Sequence, residues 1–187
     1  MKILITSGNS FLGSRLGEGL HKLGHEITMG FRKSSKIKDD FFNKFSSQEI
    51  IWESFDSLKE ACSNKDIVIH TAGINSKECS RDPINSYKFN SLISGKLGLA
   101  CHQEKVKVFL YLSTIHVYSN NLVGTINENS KTQKKDFYTK SKILAENIFH
   151  DLSDLNNTKF IILRLSNVFG HPLFKNCSCW KLFLNNI

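Results

Sequence analysis

The stretch from Ile3 to Leu16 constrains the fold of this chain more than any other. It reads ILITSGNSFLGSRL and joins an apolar run, a short polar stretch and an apolar pattern at helical spacing. A short continuous apolar run is typical of a strand that is buried on both faces. A strand, a tight turn and a helix make the first half of a βαβ unit, and the free N–H groups at the start of such a helix favour a phosphate.

The rest of the chain continues this alternation of strands and helices, which predicts an α/β fold with a parallel sheet. Further strands are predicted at His25–Phe31, Ile50–Trp52, Asp66–Gly73, Val106–Thr114 and Lys159–Leu165. Helices are predicted at 57–62, 82–104 and 137–150, and a polar loop at 119–136. The helix at 82–104 has a good start, because aspartate is a favoured N-cap and proline fits the first helical position.

Composition narrows the class of protein. A length of 187 residues suits one domain, and 40% hydrophobic residues suit a soluble one. The net charge of +8 allows nucleic acid or phosphorylated ligands, but the basic residues form no long run. Nucleic-acid binding therefore rests on charge alone and is the weakest alternative. The N-terminus enters a strand at once and no apolar run could cross a membrane, so we expect a cytoplasmic protein without a membrane partner.

Five cysteines, an odd number, do not suggest a disulfide framework. Cys177 and Cys179 form a close pair, but no second pair completes a zinc site. We therefore expect five reduced thiols and no metal.

Four later segments carry recognisable motifs. They are DIVIHTAG at 66–73, STIHVY at 113–118, YTKSKILAE at 138–146 and SNVFG at 166–170. Together with the first turn, they resemble the extended short-chain dehydrogenase/reductases, the NAD(P)-dependent epimerase/dehydratase family. The resemblance implies a Rossmann-like, doubly wound parallel sheet and hydride-transfer chemistry on a nucleotide-sugar substrate.

The resemblance places a dinucleotide on the first turn. The family fingerprint T-G-x-x-G-x-x-G falls on Thr6, Ser7, Ser10 and Gly13, so serine stands at two of its three glycines. Serine is strained wherever the turn needs a positive φ. The predicted cofactor-binding residues are Ser7, Gly8, Ser10, Phe11, Leu12, Gly13, Arg32, Ala72, Gly73, Tyr138 and Lys142.

The end of the second strand bears on the choice between NAD and NADP. Phe31 stands where the family has an acid for the ribose of NAD, and Arg32 follows it. An arginine there suits the 2′-phosphate of NADP. The sequence therefore favours NADP over NAD, with Arg32 as the clamp. The alternative is that Arg32 belongs to a solvated loop.

The resemblance also implies the catalytic residues Thr114, Tyr138 and Lys142. Tyr138 and Lys142 are four residues apart and share a helix face, and they follow the Ser-Thr strand end by 24 residues. Tyr138 would be the proton acceptor, Lys142 would lower its pKa, and Thr114 would position the substrate hydroxyl. A solvent-facing pair is the alternative. Ile115 and His116 replace the Asp-Glu of the dehydratases, which favours epimerase or reductase chemistry.

The sequence also predicts roles for three further residues. Asn90 falls at a family asparagine that orders the site, or is a helix-surface amide. Asn167 is the predicted contact to the sugar nucleotide. His70 is predicted to be a packed core histidine.

The resemblance predicts residues 1–170 as the NAD(P)-binding domain and 171–187 as the start of a truncated substrate-binding lobe. Such a chain would expose apolar surface, which favours association, for instance as a homodimer. A non-catalytic dinucleotide-binding module or an inactive fragment therefore stays open beside the enzyme.

Overall fold

A six-stranded parallel sheet forms the centre of the computed structural model, which describes residues 1–33, 39–155, 157–171 and 173–174. Its strands are β1 (Lys2–Thr6), β2 (Glu26–Phe31), β3 (Ser46–Glu49), β4 (Ile67–His70), β5 (Val108–Thr114) and β6 (Lys159–Leu165). They lie in the order β3-β2-β1-β4-β5-β6. The order reverses between β1 and β4, which is the crevice where open α/β sheets bind ligands. The predicted Rossmann-like, doubly wound fold is confirmed.

The described helices are α1 (Phe11–Lys22), α2 (Phe55–Cys62), α3 (Ser76–Arg81), α4 (Pro83–Tyr87), α5 (Ser94–Gln103) and α6 (Phe137–Ser153). Their starts follow local sequence chemistry, since Ser10, Ser54 and Asp136 each accept a hydrogen bond from a backbone N–H of the first turn. Among these helices, none is long and apolar enough to cross a membrane.

Each face of the sheet carries its own hydrophobic core. Leu4, Val68 and Phe109 belong to the larger cluster, in which they lie with residues of α2, α5 and α6. Ile5 and Met29 belong to the second cluster, with residues of α1 against it. Strands of β1 and β4 therefore bury side chains on both faces, which explains their continuous apolar sequences.

The third strand was predicted wrongly. It lies at Ser46–Glu49, and Ile50 and Trp52 follow it as buried residues of the main core. Among the described strands, β3 lies at the edge of the sheet and pairs with β2, and three of its four residues are exposed. Polar residues are sufficient in such an exposed strand. The apolar residues on which the prediction rested belong to the segment that follows it.

The predicted helix at 82–104 is interrupted. Between α4 and α5, residues Lys88–Ile93 form a π-helical turn that carries Asn90. π-helical turns are rare and are frequent at functional sites. The short helix α3 was not predicted at all.

The sequence predictions for the end of the chain fall largely outside the described residues, including those for Cys177 and Cys179. Phe174 is described and buried, and it packs against Phe11 and Phe42. Among the described cysteines, Cys62, Cys79 and Cys101 are buried free thiols.

Candidate functional site

A groove of about 990 Å³ runs along the carboxyl ends of β1, β2 and β4. Five predicted cofactor residues line it: Ser7, Ser10, Arg32, Ala72 and Gly73. Other residues that line the groove were not predicted from the sequence to bind the cofactor, among them Asn9, Trp52 and Phe89. Its place at the reversal of strand order is where a dinucleotide lies in this fold.

The turn between β1 and α1 accommodates the two serines in different ways. Ser7 has a φ of 54°, a left-handed conformation that is strained for a residue with a side chain. Ser10 has an extended φ of −77° and is the N-cap of α1, where its side chain accepts from the Gly13 N–H. The predicted strain therefore exists at Ser7 and not at Ser10.

The same turn leaves no room for side chains at two positions. A Cβ on Gly13 would lie 2.5 Å from the Ser7 carbonyl oxygen, and one on Gly8 would lie 2.6 Å from the Met29 sulfur. The backbone therefore packs closely at the start of α1, where the helix dipole favours an anion. This geometry fits the pyrophosphate of a dinucleotide. Phe11 is buried in an aromatic cluster and Leu12 is half-buried, and neither is among the residues that line the groove.

At the end of β2, the side chain in the position of the family acid faces away from the groove. Phe31 is buried, and its ring lies 5.7 Å from that of Phe42. Arg32 and Lys33 are exposed and line the groove. Glu49 lines it too, because the register of the sheet pairs it with Phe31. Only strand pairing brings this carboxylate beside Arg32, so the sequence alone gave no signal for it.

The three predicted catalytic residues come together at the end of β5. Thr114 is the last residue of β5, and Tyr138 and Lys142 lie on the first turns of α6. The side chain of Thr114 is hydrogen-bonded to the hydroxyl of Tyr138. The Lys142 ammonium donates to the Leu112 carbonyl at 2.9 Å, and its Nζ lies 4.6 Å from the centre of the Tyr111 ring.

Burial controls the ionisation of these groups. Lys142 is only 5% exposed, and desolvation lowers its pKa from the usual 10.5 to about 8, against the opposing effects of Glu146 and Cys79. Burial also raises the pKa of Tyr138, while the hydrogen bond from Thr114 lowers it. Desolvation therefore dominates the pKa of Tyr138 in the protein without ligands, and the lowering of that pKa by Lys142 stays a prediction.

A buried ion pair supports the helix that carries these residues. Glu146 lies one turn after Lys142 and accepts from Arg164 of β6, with an Nη2–Oε2 distance of 2.8 Å. Ser113 donates to the same carboxylate. Arg164 also donates to the backbone carbonyl of Glu128 at 3.0 Å, so the pair links α6, β5, β6 and the loop before α6.

Asn90 occupies the interior and not a helix surface. Its amide oxygen accepts from the Ile74 N–H at 2.7 Å, and its amide nitrogen donates to the Ile74 carbonyl and the Ser141 hydroxyl, each at 3.0 Å. Ser141 donates in turn to the Tyr138 carbonyl at 2.8 Å. Asn90 therefore joins the groove to the first turn of α6.

The remaining predicted residues lie apart or in the core. Asn167 is two residues beyond β6 and exposed, and His116 is exposed on a short turn after Thr114. His70 is 1% exposed, as predicted for a packed core histidine.

Comparison with known families gives one match along almost the whole chain. The family described as "NAD dependent epimerase/dehydratase family" matches residues 3–187. Among curated relatives, D-erythronate dehydrogenase of Haemophilus influenzae is 24% identical, with 92% of this chain and 56% of the relative covered. Human dTDP-D-glucose 4,6-dehydratase is 26% identical, with 90% and 51% covered. The chain thus spans about half the length of the curated relatives it matches.

Solved structures show the same relation. The UDP-Glc/GlcNAc 4-epimerase of Campylobacter jejuni is 26% identical, with a TM-score of 0.78 over 87% of this chain and 52% of that one. The UDP-glucose 4-epimerase of Thermotoga maritima has a TM-score of 0.81 at 23% identity, over 91% and 57% of the two chains. At this identity the second likeness concerns the fold alone.

Proposed function

The chain belongs to the NAD dependent epimerase/dehydratase family, and we propose that it binds a nicotinamide dinucleotide and acts as an epimerase or oxidoreductase on a nucleotide-activated sugar. The observation that carries this proposal is the cluster at the end of β5. There the Nζ of the buried Lys142 lies 6.0 Å from the centre of the Tyr138 ring, and the Thr114 side chain acts on the Tyr138 hydroxyl and lowers its pKa. The names of the relatives support the substrate class.

In the proposed mechanism, Tyr138 takes the proton from a sugar hydroxyl while Thr114 holds the reacting oxygen. The dinucleotide supplies the hydride acceptor when it is bound. Burial raises the pKa of Tyr138. Formation of the phenolate therefore requires both the hydrogen bond from Thr114 and a protonated Lys142. The Leu112 carbonyl holds the ammonium close to the groove, since a Cβ on the groove-lining Gly73 would lie 3.5 Å from Nζ of Lys142. Asn167 is proposed as a contact to the sugar nucleotide.

Conversion of Tyr138 to phenylalanine tests this mechanism. We expect Tyr138→Phe to reduce turnover of UDP- or dTDP-hexoses at least a thousandfold while dinucleotide affinity changes less than threefold, because the phenol hydroxyl is needed only for proton transfer. Tyr118→Phe is the matched control, since Tyr118 lies beside Arg164 and outside the groove. Retained turnover in Tyr138→Phe would rule out the mechanism.

We propose NADP as the preferred cofactor, with Arg32 as the clamp for the 2′-phosphate. The exposed Arg32 in the groove and the core position of Phe31 support this choice. Glu49 argues for NAD, because a carboxylate repels a phosphate and accepts from a ribose hydroxyl.

Calorimetric titration with NADPH and NADH decides between the two cofactors. We expect Arg32→Ser to weaken NADPH at least tenfold and NADH less than twofold, and Glu49→Gln to strengthen NADPH; equal effects on both cofactors would contradict the clamp.

A non-catalytic dinucleotide-binding module is the second candidate. The left-handed Ser7, at a position where the family fingerprint has glycine, favours it. It predicts cofactor binding without turnover of any sugar nucleotide. For either function we propose residues 1–170 as the cofactor-binding domain and a cytoplasmic location. We also propose association into a homodimer, and sedimentation of the purified chain would test this association.

A further inference from the structure

His70 is a buried titratable group next to the groove, and the proposed mechanism does not use it. It is the last residue of β4, and its ring stacks on that of Tyr111 at 5.8 Å. Both ring nitrogens have partners: Nδ1 lies 2.9 Å from the Thr6 hydroxyl and Nε2 lies 2.9 Å from the Ser94 hydroxyl. We call Thr6, His70 and Ser94 the His70 network.

The hydrogen bonds of the network can run in only one direction. The Thr6 hydroxyl oxygen already accepts from the N–H groups of Thr71 at 3.0 Å and Ala72 at 3.2 Å. Both of its lone pairs are occupied, so its own hydrogen must be donated to Nδ1 of His70. The proton of the neutral ring is then on Nε2, which donates to Ser94.

Ser94 completes the chain by donating to the Phe89 carbonyl at 3.1 Å. A positively charged ring would place hydrogens on both nitrogens and leave the Thr6 hydroxyl without an acceptor. Burial, reinforced by the charge of Lys142, lowers the pKa of His70 to about 3, which agrees with a neutral ring.

The two ends of the network lie on two parts of the groove. Thr71 and Ala72 begin the segment that lines it after β4, and Phe89 lies in the π-helical turn directly before Asn90. Asn90 binds the same segment at Ile74 and reaches α6 through Ser141. The network therefore connects the segment after β4, which lines the groove, to the π-helical turn. Through Asn90, the same turn is connected to α6, which carries Tyr138.

We propose that His70 is a positioning residue for dinucleotide binding, which holds the Thr71–Ile74 segment and the Asn90 turn in register through its one-way hydrogen bonds. The proposal rests on the proposed function, because it names what the floor of the cofactor groove requires. Simple packing of an aromatic ring would need neither a fixed direction of donation nor the Ser94 hydroxyl.

The test substitutes Ser94 at one end of the network and measures hydrogen exchange at Thr71 and Ala72 at the other end. Ser94→Ala leaves the Nε2–H of His70 buried without an acceptor, a loss that destabilises the chain of bonds. We expect hydrogen exchange at Thr71 and Ala72, measured by NMR without ligand, to become at least tenfold faster relative to Val68 of the preceding strand β4. We also expect the Kd for NADH and NADPH to rise about tenfold.

Ser91→Ala is the matched control. Ser91 is buried in the π-helical turn just before Ser94, but its hydroxyl donates to the Tyr87 carbonyl and not to the network. It should change neither exchange at Thr71 and Ala72 nor cofactor affinity by more than threefold. If Ser94→Ala fails to fold, Ser94→Cys offers a similar size with a weaker acceptor.

The outcomes separate the two proposals. Equal exchange in Ser94→Ala and Ser91→Ala would overturn the network, and faster exchange with unchanged affinity would overturn its positioning role. Failure of the unmodified protein to bind NADH or NADPH would overturn the proposed function itself, while the exchange experiment would still test the coupling.

Discussion

The phosphate end of the groove and the cluster of Thr114, Tyr138 and Lys142 beside it, here called the catalytic end, are held by contacts of different range. At the phosphate end, the Ser10 cap is local and joins residues three apart in the chain. At the catalytic end, the hydrogen bonds from Lys142 to Leu112 and from Asn90 to Ser141 join residues 30 and 51 positions apart. The phosphate end departs from the family fingerprint at two glycines, whereas the catalytic end keeps its threonine, tyrosine and lysine.

The chemistry of each end accounts for this difference. A phosphate is bound largely by backbone N–H groups at a helix start, which remain when side chains in the turn change. Proton transfer requires particular side chains with particular ionisation, and burial is what shifts their pKa values. The catalytic end therefore depends on long-range packing, and the phosphate end on one turn. Three experiments probe this comparison, in order of decreasing expected effect.

The largest effect is expected where the buried ion pair is broken. Glu146→Gln removes a buried charge that compensates the partly exposed Arg164 and also accepts from Ser113, and the loss of such a partner destabilises by about 3 kcal/mol at most. Asp56→Asn breaks the exposed pair with Lys59 and should change the free energy of unfolding by less than about 0.5 kcal/mol. Urea unfolding measures both. Equal effects would show that the catalytic end does not depend on buried charge.

The second effect concerns the desolvated ammonium of Lys142. Its pKa in the folded protein, about 8 against the usual 10.5, means that the unfolded chain binds more protons between these pH values. Stability from this group therefore rises from pH 8 to 10.5, and the penalty below pH 8 is about 3 kcal/mol. Lys142→Met should be more stable than the unmodified protein at pH 7, and the gap should close by pH 10.5. A constant gap would contradict the desolvation of Lys142.

The smallest effect is expected at the phosphate end. Ser7→Gly removes the strain of a left-handed serine and should raise the free energy of unfolding by about 1 kcal/mol. Gly24 offers the reverse control, because it has a φ of 80° and open space around it. Gly24→Ser should lower stability by a similar amount. If Ser7→Gly also strengthens cofactor binding, the serine impairs the turn; thermal unfolding with and without NADPH measures both quantities.

Much of the fold was predictable because its signals are local. The buried strands β1, β4 and β5 are continuous apolar runs, and α6 has its cap and periodicity within one segment. The edge strand β3 was missed, since exposure on both sides removes the apolar signal. The π-helical turn was missed as well, because a helical sequence pattern does not reveal one extra residue per turn.

The sequence alone determined the order of strands and helices, the first turn and the spacing of Thr114, Tyr138 and Lys142, because each depends on neighbouring residues or motif spacing. Only the tertiary structure decided that Ser7 is the strained serine and that Glu49 lies beside Arg32. It also decided that burial raises the pKa of Tyr138 and that His70 donates toward Ser94. Burial and hydrogen-bond direction arise from groups distant in the chain, and no local pattern specifies which of them meet.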